Sequence, residues 1–225
     1  MYTFYADAKK RSFNENVSIS LTAAAVLTYI SFLTSYILGW ADKVSVLEMF
    51  VVFTSYMCTI LMSFQIRFGY IIGIVTTAAT SFLLWNSDSP ALAMFNLYLV
   101  GSLLYGFIYW KSDDNSRPVS RIGRNEILIM IGFAILLSVS YVTAITIVTP
   151  NMKLDYVDIT LMALSGVAQL MLDRKKLETW LVWGVVNIIS IPYFIYTGLY
   201  MVAFQFLFFL INAGVSYFAW KSEIK

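Results

Sequence analysis

Eight runs of about 20 mostly apolar residues constrain this chain more than anything else in it, because that is roughly the helix length that crosses the hydrocarbon of a bilayer. They are approximately Val17–Leu38, Val44–Phe64, Phe68–Leu84, Ala91–Trp110, Ile127–Val148, Ile159–Leu172, Leu177–Thr197 and Leu199–Trp220. The sixth is short and ends at Asp173, Arg174, Lys175 and Lys176, and Tyr156 and Val157 can lengthen it. The first is longer than the apolar core of a signal peptide and lacks a short basic stretch before it, so it is read as a helix of the protein. Only 12% of residues are charged, against about one quarter in soluble domains, which leaves too little polar surface to coat a water-facing globule. The sequence therefore predicts an all-α integral membrane protein with eight transmembrane helices. A net charge of +2 gives no reason to expect a nucleic-acid partner.

Histidine is absent and Cys58 is the single cysteine. That removes imidazole general bases, Ser-His-Asp and Cys-His catalysis, His-ligated metals and any internal disulfide. No lysine lies in mid-span to form a retinal Schiff base. No catalytic residue, metal or cofactor is expected, and the chain is read as something other than an enzyme.

Lys and Arg concentrate on the cytoplasmic side of membrane proteins. With eight spans the termini share a side, and that side carries Lys9, Lys10, Arg11, Arg67, Lys111, Arg117, Arg121, Arg124, Arg174, Lys175, Lys176, Lys221 and Lys225, leaving only Lys43 and Lys153 opposite. A 13 to 2 division places both termini in the cytoplasm and supports the even number of spans, since removing one helix would scatter the charges.

Three features recur at an offset of 110 residues: Glu48 with Asp158, Trp110 with Trp220, and the lysines that follow the tryptophans, Lys111 and Lys221. They bracket two triplets of helices running in the same sense, which an odd number of joining helices must connect. The expected plan is a cytoplasmic N-terminus and extra helix (1–43), a first triplet (44–110), a basic loop and linker helix (111–155), and a second triplet with the C-terminus (156–225): one helix plus a 3+1+3 parallel-repeat bundle, SWEET-like in layout. Transporters built this way bind substrate at the repeat interface near the midplane.

Polar side chains inside a span are costly against lipid, so a cluster on one helix face marks a site. Trp180, Trp183, Asn187 and Ser190 follow at +3, +4 and +3, which stacks them on one face. Two indoles offer stacking area and cation–π attraction, and a carboxamide both donates and accepts, a receptor for a flat polar heteroaromatic ligand. Trp180, close to the basic turn, equally suits an interfacial belt. Pro192 can kink this helix. Gln205 and Asn212, seven apart, can line the same cavity or bond helix to helix. Thr76 and Thr80 share a face of the third span, where threonine often bonds its own helix. Glu48 and Asp158 open their helices, where a carboxylate complements the helix N-terminus. The absence of an ionisable group in mid-membrane points to uncoupled, facilitated transport.

The stretch from Gln169 to Tyr200, with Asp173-Arg174-Lys175-Lys176-Leu177-Glu178-Thr179-Trp180, Trp183 and Asn187, resembles the WxxWxxxN region of the PnuC family of vitamin transporters. The Gly198-Leu199-Tyr200 turn is similar, as are Leu47, Glu48, Phe68 and Gly69, while Ile66 and Arg67 stand where Trp and Pro are expected. The resemblance implies the same 3+1+3 layout in a cell (inner) membrane and import of nicotinamide riboside, trapped inside when a cytosolic riboside kinase phosphorylates it. By motif it implies Trp180, Trp183 and Asn187 as substrate-binding residues, beside the candidates Gln205, Asn212, Thr76 and Thr80, and it implies a homotrimer in the lipid bilayer. Other members take thiamine or riboflavin, and Asn at the motif's last place points to the riboside. From the residues alone a sugar facilitator of the same plan, or a receptor whose polar faces are helix contacts, remain competing readings.

Overall fold

The computed structural model describes residues 2–40, 44–86, 90–110, 118–148, 156–196 and 200–224. Among these the chain is helical: α1 (Tyr2–Ala6), a 3-10 turn (Asp7–Lys10), α2 (Phe13–Ile37), α3 (Val46–Ser63), α4 (Phe68–Asn86), α5 (Pro90–Tyr109), α6 (Arg124–Val148), α7 (Tyr156–Asp173), α8 (Thr179–Tyr196) and α9 (Tyr200–Lys221). In the described residues α2, α3, α6, α7, α8 and α9 are long and apolar enough to cross a membrane, and α4 and α5 contribute shorter apolar stretches, Phe68–Phe82 and Ala93–Tyr109. Lys43, Lys111, Arg117, Lys153, Lys225, Gly198 and Leu199 lie outside the described residues.

One expectation needs correcting. Residues 1–43 read as a polar segment leading to a single helix, but a further short helix, α1, packs against α9; with five residues it is too short to cross a membrane, and it brings the α-helices among the described residues to nine. The aromatic pair Phe4-Tyr5 supplies the reason. Tyr5 and Phe4 set their rings edge-on against Phe64, at centroid distances of 5.1 and 6.1 Å, and the Arg11 guanidinium lies 5.0 Å from the Phe64 ring centre.

Helix starts follow the capping chemistry of the sequence. Ser12 and Glu15 form a capping box at α2, and the Ser45 hydroxyl accepts from the Glu48 N–H at 3.0 Å, which fixes Glu48 in the first turn of α3. Helix ends follow a second rule. Both α3 and α7 finish with a residue in the left-handed region, Gln65 at φ 59° and Lys175 at φ 52°. The Gln65 and Ile66 amides fold back to Met62 and Leu61, and the Lys175 and Lys176 amides to Leu172 and Met171. These are two Schellman turns, 110 residues apart.

Packing recurs with that period. α3 packs on α4 and α4 on α5, as α7 packs on α8 and α8 on α9; α5 leans on α7 and α3 on α9; α2 packs on α3 and α9, as α6 packs on α7 and α5. The start of α2 and the start of α6 even repeat a bond: Glu15 accepts from the Ser12 N–H and Glu126 from the Gly123 N–H, each at 2.7 Å. The helix expected to be an extra one thus has a counterpart in α6.

At Gly69 an added Cβ would come 3.0 Å from the Leu61 Cβ, so glycine lets α4 begin flush against α3. Arg67, the departure from the family pattern, donates from Nε to the Phe107 carbonyl at 2.7 Å and stacks on the Phe107 ring. It ties the α3–α4 turn to the end of α5.

Candidate substrate site

The Thr179 hydroxyl donates to the Ala168 carbonyl at 2.7 Å and pins the start of α8 to α7. From there the 3.6-residue period turns Trp180, Asn187 and Ser190 into the bundle, where all three are buried, and leaves Leu181, Val185 and Ile188 exposed on the opposite side. Trp183 is half-buried against the same cluster as Trp180. The face read from spacing is therefore an interior face, and Trp180, 4% exposed, belongs to the core and not to an interfacial belt.

Trp180 forms one quarter of an aromatic floor. Trp180 meets Trp220 edge-on at 5.2 Å and 88°, Tyr70 meets Trp110 edge-on at 5.0 Å and 78°, and Trp110 and Trp220 join the pairs at 6.3 Å. Residues 70 and 180, like 110 and 220, stand 110 apart, so the floor is built twice from one plan. Edge-on pairs of this kind each contribute about 0.5–1.5 kcal/mol beyond burial.

Within the bundle, four polar atoms of α8 and α9 have no hydrogen-bond partner among the described residues: Trp180 Nε1, Asn187 Oδ1, Gln205 Nε2 and Ser216 Oγ. A buried polar atom without a partner costs about 1–3 kcal/mol, and such atoms call for an explanation. A ligand or ordered water that supplies the missing bonds is the simplest. Ser216 had no signal in the sequence apart from its place four residues after Asn212 on the same helix face.

The remaining candidates are engaged by protein. The Thr76 hydroxyl donates to the Ile72 carbonyl and the Thr80 hydroxyl to the Thr76 carbonyl, both at 2.8 Å. Asn212 donates from Nδ2 to the Ser63 hydroxyl at 2.9 Å and accepts on Oδ1 from the Tyr5 hydroxyl at 2.9 Å. Both polar atoms of Asn212 thus bridge helices, and the structure separates it from Gln205 in role although the two share a face. Pro192 sits in α8 without interrupting it.

Asp173, the first of the four charged residues that end the sixth apolar run, is fully buried. Its carboxylate accepts from the Ser102 hydroxyl and from Gln169 Nε2, both at 2.8 Å, and its carbonyl accepts from Trp110 Nε1 at 2.9 Å. Gly106 makes room for it, because a Cβ there would collide with the Asp173 carboxylate and the Tyr70 ring. The signal that could have found this cluster is the 110-residue offset, which aligns Ser63 with Asp173 and Ser102 with Asn212.

Apolar helices, an interior face of indoles and amides, and two chain halves that repeat each other's turns and packing define a polytopic membrane protein of the transporter type. The chain belongs to the nicotinamide mononucleotide transporter family, which matches it over residues 45–222; the match begins beyond α1 and α2. The nicotinamide riboside transporter PnuC of Escherichia coli strain K12 is 21% identical over an alignment covering 76% of this chain and 81% of that protein, and PnuC of Shigella flexneri gives the same figures. A crystal structure of the vitamin B3 transporter PnuC superposes with a TM-score of 0.68, covering 88% of this chain and 90% of that one at 16% identity. That likeness shows the fold.

Proposed function

We propose that this protein carries nicotinamide riboside across the cytoplasmic membrane by facilitated, uncoupled diffusion. The observation that carries the reading is the inward Trp180–Trp183–Asn187 face, with Trp180 and Asn187 buried, Trp183 half-buried and Asn187 Oδ1 unpartnered among the described residues. The carboxamide of nicotinamide both donates and accepts, which complements Asn187, and its cationic pyridinium ring suits an indole face. Gln205 and Ser216 supply further polar contacts, with Thr76 and Thr80 able to accept through their remaining lone pairs. The family's name and those of its relatives support this substrate class. Between riboside and mononucleotide the neutral lining favours the riboside: α4 and α8 contain no Lys or Arg, and α9 has only Lys221 in its last turn, whereas a buried phosphate would need a cation.

The same reading has eight spans, a helix followed by a 3+1+3 plan, with both termini and the basic turns in the cytoplasm of the inner membrane, assembly as a homotrimer, and retention of substrate through phosphorylation by a cytosolic kinase. Uncoupled transport is supported by the lack of ionisable side chains on the inner face of α8. Asp173, the buried carboxylate, lies at the end of α7 among neutral donors. Counterflow in proteoliposomes tests the proposal: labelled nicotinamide riboside should exchange saturably, at a rate unchanged when proton and sodium gradients are collapsed. Uptake that stops with either gradient would contradict uncoupled transport, and exchange of thiamine or riboflavin in place of the riboside would contradict the substrate.

A further inference from the structure

Two sets of bonds at the basic end of the bundle are related by the 110-residue offset, and each joins one half of the chain to the other. In the first, α5 grips the end of α7: the Trp110 indole N–H donates to the Asp173 carbonyl at 2.9 Å, and the Ser102 hydroxyl to the Asp173 carboxylate at 2.8 Å. In the second, α9 grips the end of α3: the Trp220 indole N–H donates to the Ser63 carbonyl at 3.0 Å, and Asn212 Nδ2 to the Ser63 hydroxyl at 2.9 Å. Every member is buried. The carbonyls they take are among the last ones of a helix, which have no partner within it, so the grip satisfies groups that would otherwise stay unpaired.

The position of these bonds matters more than their number. The rings that make them, Trp110 and Trp220, are also the centre of the aromatic floor, and that floor lies at the start of α8, two turns short of Asn187. A solute leaving Asn187 toward the basic end meets two edge-on ring pairs joined by the tilted Trp110–Trp220 contact, held by donors from both halves. Because each grip crosses between the halves, the rings cannot part while either half keeps hold of the other.

The geometry points to a pair of latches, Ser102 and Trp110 on Asp173 and Asn212 and Trp220 on Ser63, that hold the aromatic floor shut at the basic end and must release for substrate to pass. The inference rests on the transport reading, and of the two arms of its test only the thiol labelling is independent of that reading. Packed interfaces of this kind switch between discrete arrangements, and the two latches differ in strength, since one is built on a carboxylate and the other on neutral groups only.

The test uses the full chain in sealed proteoliposomes, with Cys58→Ala to remove the native thiol. Ser102→Cys with Asp173→Cys is oxidised to join α5 to α7; riboside flux should fall by about tenfold or more and return on reduction, while binding in detergent stays within about threefold, as for a gate outside the site. Flux through the crosslinked protein at the rate of the reduced protein would overturn the proposal. The second variant, Ser63→Cys alone, keeps the side chain's size and reads the other latch without any substrate. A water-soluble maleimide should modify this buried thiol within minutes in folded protein, and faster with Asp173→Asn added to weaken the first latch. A thiol that stays unmodified over hours in both backgrounds would overturn the proposal. That labelling is independent of which solute is carried, so absence of riboside flux in the unmodified protein would count against the substrate alone.

Discussion

Asn187 and Asn212 carry the same side chain, both buried, in opposite circumstances. Asn187 keeps an acceptor without a partner, while Asn212 bridges Tyr5 and Ser63. Asn187→Ala removes an unpaired group from the free protein and a bond from the bound one, so it should leave thermal stability in detergent unchanged or higher and weaken riboside binding by about 1–3 kcal/mol, roughly 5- to 150-fold. Asn212→Ala should do the reverse, costing about 1–3 kcal/mol of stability by stranding the Tyr5 hydroxyl, with affinity within about twofold; melting curves and titrations of the two variants side by side check both. At this scale the sequence showed the face of α8, because a +3, +4, +3 spacing depends only on the helix itself. It did not show the role of Asn212, whose partners are 149 and 207 residues away. Nor did it show Asp173, which four consecutive charged or basic positions disguised as a solvated turn.

Single helices explain which substitutions the bundle can absorb. α5 approaches the end of α7 only because residue 106 has no side chain, and Gly106→Ala should cost about 1–3 kcal/mol by overpacking against Tyr70 and Asp173, seen as a lower melting temperature with no change in the helical signal. α1 is held by Tyr5, Phe4 and the Lys9–Glu223 pair at 2.7 Å, of which the exposed ion pair adds little. Burial pushes the Tyr5 hydroxyl up to about 12. A tyrosine raised in the folded state keeps its proton there while the unfolded chain loses it near 10, so its contribution is complete below pH 10 and declines above. Thermal stability of the wild type compared with Tyr5→Phe should therefore differ by a constant amount from pH 5 to 9; a difference that varies across that range would contradict this role. The apolar runs made the long helices legible. α1 was not, because five residues, three of them aromatic, carry no periodicity, and only the Phe64 surface gives them a reason to be helical.

At the scale of the whole molecule, the offset of 110 residues organises turns, floor and latches alike. Composition was enough to assign the chain to the membrane, and the Glu48–Asp158 and Trp110–Trp220 pairs were enough to suggest the repeat. What the sequence could not display was that α2 and α6 answer to one another, because the start of each is marked by a different residue, Ser12 in one and Gly123 in the other, whose backbone N–H donates to the carboxylate of a glutamate three positions on. The reciprocal packing of α5 on α7 and α3 on α9 places the floor between the halves, with the Trp183–Asn187 face beyond it. Calorimetric titration of nicotinamide riboside into the detergent-purified protein, repeated with Asn187→Ala, tests that face most directly. The account predicts saturable binding, weakened about fivefold or more in the variant. Equal affinity in both proteins, or tight binding of thiamine or riboflavin with none of the riboside, would contradict it.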